Sequence, residues 1–231
     1  KQVALGSDFG CSVLSPTSLK CFGTSSTVLF PATSNWADQP VSPPTGLHFL
    51  SAGANFMCYL DISKNIKCWG AGTSGQLGNG GTASVSYSPM AAVSGIANNA
   101  VQISTGNLHA CALLSNGSIM CWGANTYGQL GRDNTSLSST PVPVLGYGPG
   151  GIIAKKVIAG GDSTCAIAMN GSLRCLGRNI YGQLGQDSTQ NIGDGTILMG
   201  SLPTINLGVS RTALDVKPSS QHTCAILDNN T

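Results

Sequence analysis

HACALLSNGSIMCWGANTYGQLG, residues 109–131, holds two cysteines ten positions apart around a central Asn-Gly. Asn-Gly between two short apolar runs is a hairpin signal, because Gly enters the left-handed region at no steric cost. If Ser115-Asn116-Gly117 is a three-residue loop with Gly117 left-handed, counting outward pairs Leu114 with Ser118. Leu113 then faces Ile119, Ala112 faces Met120, and Cys111 faces Cys121. Opposed residues of an antiparallel pair have Cα atoms about 4.5–5.5 Å apart, within reach of a disulfide. The spacing therefore predicts a stapled hairpin.

The same frame recurs along the chain. Cys11 and Cys21, Cys58 and Cys68, and Cys165 and Cys175 repeat the spacing, the last in CAIAMNGSLRC (165–175). A glycine stands five residues before the first cysteine each time, at Gly6, Gly53, Gly106 and Gly160. After the second come Phe22-Gly23, Trp69-Gly70, Trp122-Gly123 and Leu176-Gly177, and GQLG follows at 75–78, 128–131 and 182–185. Lys64 and Thr17 replace the turn glycine in two copies, which predicts either another turn there or backbone strain. Repeat boundaries fall near 1–47, 48–100, 101–154, 155–213 and 214–231, the last partial. VQIS (101–104), KVIA (156–159), CALL and SIMCW are short, apolar and partly β-branched, so the units read as strands. A period of this length with strand content means propeller blades or a solenoid.

Residues 109–131 resemble the repeat of the regulator of chromosome condensation (RCC1-like) family: His-Ser/Thr-x-Ala-Leu, a turn with Gly, Trp-Gly, then Gly-Gln-Leu-Gly. Residues 48–231 follow that pattern, while 1–47 share only the hairpin and lack GQLG. The resemblance implies an all-β fold, a β-propeller of four-stranded blades, with about four blades and the start of a fifth present here as part of a seven-bladed ring. Cys224 aligns with Cys11, Cys58, Cys111 and Cys165, which predicts a partner beyond the last residue and further repeats.

Charged residues are only 9% of the chain, against about 25% in an average soluble protein. A net charge of +2 is too weak to recruit nucleic acid or an anionic membrane. No apolar run of membrane-spanning length occurs, and residues 1–15 lack the features of a signal peptide. The cysteine spacing fits no zinc site. Four stapled hairpins imply an oxidising compartment, so an extracellular or cell-surface location is expected, against the nuclear and cytosolic members of the family. Asn116, Asn134, Asn170 and Asn229 stand in Asn-x-Ser/Thr. Asn116, Asn170 and Asn229 are ordinary hairpin-turn residues, which makes Asn134, in a polar loop, the best single candidate for glycosylation.

Catalytic signals are weak. GAGTSG (70–75) fits GxGxxG, but its aligned copies, GANTYG (123–128) and GRNIYG (177–182), lose the middle glycine, so it reads as a loop. His109 and His222 share a position that Phe9, Phe56 and Ser163 fill elsewhere, which indicates packing; His48 stands apart. Lys20, Lys67 and Arg174 precede second cysteines, with Met120 in the remaining copy, and read as a solvated strand face more than a basic stripe. No cofactor, metal or catalytic set is expected. The expected activity is a non-enzymatic extracellular or cell-surface module for protein interaction or structure, binding through the variable segments 24–47, 79–100, 132–154 and 186–213. The alternatives are a guanine-nucleotide exchange factor or chromatin-linked adaptor of the nuclear RCC1 type, a self-assembling filament subunit, and a glycan-binding propeller.

Overall fold

The structure is a computed structural model that describes residues 2–15, 18–23, 39–41, 46–86, 90–96 and 98–229. Its strands form consecutive antiparallel sheets, each a meander. The first contains β1 (Gln2–Leu5), β2 (Phe9–Ser15), β3 (Ser18–Gly23) and β4 (Gln39–Val41). The second contains β5 (Leu47–Ala52), β6 (Phe56–Asp61), β7 (Ile66–Gly70) and β8 (Ala91–Ala92). The third contains β9 (Ala100–Thr105), β10 (His109–Leu114), β11 (Ile119–Gly123) and β12 (Ser138–Pro143). β13 (Ala154–Gly160), β14 (Ser163–Ala168) and β15 (Leu173–Gly177) make the fourth, and β16 (Ala213–Pro218) with β17 (Thr223–Leu227) the fifth. The only helical element among the described residues is a 3-10 turn at Met199–Ser201. The architecture is that of propeller blades.

The hairpin register is the one the spacing requires. Cys111 faces Cys121, Ala112 faces Met120 and Leu113 faces Ile119. The loop closes through Leu114 N–H to Ser118 O at 2.9 Å, with Gly117 at φ +81°. In all four hairpins the paired sulfurs lie at bonding distance, with cysteine Cα atoms 4.0–4.1 Å apart. Lys64 settles one open choice: it keeps the left-handed turn at φ +64° and carries the strain, whereas Thr17 lies outside the described residues. Lys64→Gly is therefore expected to stabilise the chain by up to about 1 kcal/mol, net of the entropy glycine gains when unfolded. A urea midpoint that falls on substitution would contradict this.

Blades join through their first strands, where residues one period apart meet. Gln2 on β1 donates from Nε2 to His48 O at 2.9 Å and accepts Leu50 N–H at Oε1, 3.0 Å. Gln102 clamps both backbone groups of Val157 in the same way, at 2.7 and 3.1 Å. Ser51 and Ser104 hydroxyls accept Thr105 and Ala159 N–H at 3.1 and 2.9 Å. Loops between first and second strands form a further chain of bonds: Ser7 N–H to Ala54 O, Ala54 N–H to Asn107 O, and Asn107 N–H to Gly161 O. Two contacts exclude a side chain at the glycine five residues before the first cysteine: the ring three residues on, at 2.2 Å from a Cβ at Gly6 (Phe9), 2.0 Å at Gly53 (Phe56) and 2.2 Å at Gly106 (His109), and, from Gly53 onward, the backbone of the next blade. A Cβ at Gly53 would lie 2.7 Å from Gly106 O, and one at Gly160 would lie 2.0 Å from Pro218 O.

The seams between sheets hold the core. Trp122 of β11 is fully buried and donates from Nε1 to Gln76 O of the preceding blade at 2.9 Å. Gly78 lies against the ring, and a Cβ there would come within 2.7 Å of Nε1. Leu176 takes the corresponding place beside Gly131 in the next seam. Trp69 packs with Met57 and Tyr59 against Ala4 and Cys11 of the first blade. The GQLG leucines Leu77, Leu130 and Leu184 are all fully buried.

Candidate interaction face

Alternating connections divide the molecule into two faces. The Asn-Gly hairpins lie on one; the loops after first strands and the GQLG turns lie on the other. Two of the three GQLG turns carry a full internal brace, while in the first Gly72 takes the asparagine place and Gln76 Oε1 alone accepts Ser74 N–H, at 2.8 Å. In GANTYGQLG, buried Asn125 donates from Nδ2 to Asn134 O and Ser136 O and accepts Leu130 N–H at Oδ1. Gln129 Oε1 accepts Tyr127 N–H at 2.9 Å. Asn179 and Gln183 repeat these contacts with Ser188, Gln190, Leu184 and Tyr181. Such turns hold their tips rigidly.

One cluster on this face departs from the repeat. Arg178 stands where the other copies have Ala71 and Ala124, and its guanidinium carbon lies 5.1 Å from the Tyr127 ring centre and 5.7 Å from that of Tyr181. Its Nη1 meets Asp162 Oδ2 at 3.4 Å, and Asn107 Nδ2 donates to the other oxygen of that carboxylate. The backbone O of Arg178 accepts the Ser163 hydroxyl at 3.0 Å. Leu108, Ile180 and Tyr181 are exposed around it, Tyr181 at 57%. An arginine beside two tyrosines and exposed apolar groups matches the composition of binding hot spots. Sequence reasoning placed a partner site in the variable segments and did not single out these residues. The available signal was the arginine replacing alanine inside an otherwise regular frame.

The other sequence candidates take structural places. GAGTSG runs from the end of β7 into the GQLG turn and opens no helix, so the dinucleotide motif has no context. A Cβ at Gly72 would lie 2.1 Å from Ala83 O, which accounts for that glycine. Arg174 donates to Leu202 O and the Ser172 hydroxyl, while Met120 packs partly buried against the core, so no continuous basic stripe forms with Lys20 and Lys67. His48 stacks edge-on against Phe49, and His222 is exposed. Cys224 is exposed and unbridged. Among the described residues, no helix is long and apolar enough to cross a membrane.

His109 is fully buried and bonds across a seam. Thr164 Oγ1 donates to Gln129 O at 2.9 Å, so at 2.9 Å from His109 it accepts, and the imidazole carries its proton on Nε2. Among the described residues, His109 Nδ1 has no hydrogen-bond partner. Burial lowers the pKa to about 4, from 6.5. The unfolded chain then binds this proton first on acidification. Its contribution is complete above about pH 6.5 and falls away toward pH 4, by about 3 kcal/mol. His109→Phe, which copies buried Phe9 and Phe56, is expected to flatten that slope in urea midpoints between pH 7 and 4.5. An unchanged slope would contradict the assignment.

The descriptor "Regulator of chromosome condensation (RCC1) repeat" matches residues 48–76 and 100–129 in one family model and 68–113 and 116–167 in another. Together they cover more than half of the chain. With sheets that repeat in this register, the chain is an RCC1-type β-propeller and belongs to the RCC1 repeat family. It is 36% identical over 159 residues to the ultraviolet-B receptor UVR8 of Arabidopsis thaliana, covering 67% of this chain and 35% of the receptor. It is 29% identical over 174 residues to the probable E3 ubiquitin-protein ligase HERC4 of Homo sapiens, covering 74% of this chain and 15% of the ligase. The chain thus spans about a third or less of these curated relatives. Among solved structures, yeast RCC1 (Prp20) bound to Kap60 superposes with a TM-score of 0.72 at 20% identity, over 99% of this chain and 54% of that one. The CRINKLY WD40 ectodomain of the Arabidopsis thaliana receptor kinase ACR4 superposes with a TM-score of 0.56 at 18% identity, over 99% and 59%.

Proposed function

We infer that this chain is a non-enzymatic protein-interaction module of an extracellular or cell-surface protein, and that it binds through its GQLG face. The observation that carries the reading is the Arg178 cluster, an arginine fixed between two tyrosines on a surface otherwise poor in charge. The four stapled hairpins support an oxidising location. A solved relative bound to a protein partner and a superposable receptor ectodomain agree with both halves of it. HERC4's ligase activity belongs to a protein of which this chain spans 15%.

A photo-crosslinking residue at Ile180 is expected to trap a protein partner on cells that carry the native protein. Arg178→Ala with Tyr181→Ala is expected to weaken that capture at least tenfold while leaving the melting curve intact. Equal capture from Lys64, on the hairpin face, would contradict the assignment. Measured turnover that depends on His109 or His222 would overturn the non-enzymatic reading.

A further inference from the structure

Asn116 and Asn170 occupy equivalent hairpin tips of neighbouring blades, in Asn116-Gly117-Ser118 and Asn170-Gly171-Ser172. Both are exposed. In each, Oδ1 accepts the N–H of the serine two residues on, at 3.0 Å, which fixes the carboxamide in an Asx turn. Among the described residues, neither Nδ2 has a protein partner. Asn134, in Asn134-Thr135-Ser136, makes the same turn with Ser136 N–H at 3.0 Å. Its Nδ2, however, donates to Arg132 O at 3.1 Å, and its backbone O accepts the Asn125 side chain at 2.8 Å. A sugar on Asn134 would crowd the brace of a GQLG turn, whereas one on Asn116 or Asn170 would project from a stapled hairpin into solvent.

We propose that Asn116 and Asn170 carry N-linked glycans and that Asn134 does not. The donor class is an oligosaccharide linked to a lipid through pyrophosphate. Asn Nδ2 forms the bond to sugar C1 as the C1–O bond to pyrophosphate breaks; the lipid pyrophosphate leaves with the electron pair, and one Nδ2 proton passes to base. Two glycans on adjacent blades shield the hairpin face and leave the GQLG face, with Arg178 and Tyr181, bare for a partner. The proposal rests on the reading that the chain passes through an oxidising secretory compartment.

The test is glycopeptide mapping of the protein secreted from a eukaryotic cell that makes such donors. Enzymatic glycan removal in 18O water is expected to convert Asn116 and Asn170 to labelled Asp and to leave Asn134 unlabelled. An enzyme-free control subtracts spontaneous deamidation, to which Asn-Gly bonds are prone. N116Q with N170Q is expected to remove the glycan from both hairpin peptides, and N134Q to leave both glycopeptides unchanged. Bare Asn116 and Asn170, or occupancy of Asn134 in their place, would overturn the proposal. A disulfide map of the same sample separates the two readings. Bridged hairpins without glycans defeat the glycan proposal alone, and free thiols defeat the compartment reading beneath it.

Discussion

Reduction of all four hairpin disulfides is expected to leave the chain unable to hold its fold. Each bridge closes a loop with a sequence separation of ten, and the chain-entropy relation values such a loop at about 2–3 kcal/mol. The staples lie in separate blades, so their contributions add to about 8–12 kcal/mol. That is comparable to the whole stability of an ordinary domain, about 5–15 kcal/mol. The bridged cysteines are at most 2% exposed, so a reductant reaches them only when a blade opens. The native protein is therefore expected to resist mild reductant in the cold. After reduction in denaturant it is expected not to regain its near-ultraviolet circular dichroism on dilution. Full recovery of that spectrum with thiols blocked would show that the seams suffice without the staples.

Trp122→Ala is expected to produce the largest loss of any single apolar truncation, about 3–5 kcal/mol. The side chain is fully buried between two blades, and its indole N–H donates to Gln76 O at 2.9 Å. Alanine leaves a cavity over Gly78 and removes that bond from a buried carbonyl, so the transfer, cavity and hydrogen-bond losses act together. For a chain of 231 residues this corresponds to a fall in melting temperature of roughly 6–20 °C. Trp122→Leu copies Leu176, which fills the corresponding seam, and is expected to cost less than half as much. A Trp122→Ala variant that melts within 2 °C of the wild type, a limit set at roughly 1 kcal/mol, would contradict the seam assignment.

The stapled hairpin was legible in the sequence because every determinant is local. Two cysteines, the Asn-Gly turn and the counting between them fix register within eleven residues, and Cys111 does face Cys121. The seams were legible only in outline. Gln2, Ser51, Gln102 and Ser104 look like ordinary exposed polar residues of strands, yet each binds backbone of the following blade. Those contacts depend on how whole sheets are placed, which no short window encodes. The Arg178 cluster was not singled out, for the same reason: Tyr127 and Arg178 belong to different blades, and only their stacking makes the pair recognisable. The sequence did allow Lys64 two outcomes, and a strained turn is the one found, because the cysteine register leaves no room for a different loop length.

A peptide map under non-reducing conditions, taken on the protein from its native source with free thiols blocked at lysis, tests the central claim most directly. A disulfide-stapled propeller predicts four cross-linked peptides, joining Cys11 to Cys21, Cys58 to Cys68, Cys111 to Cys121 and Cys165 to Cys175. Alkylated thiols at these positions, or bridges between blades, would contradict it.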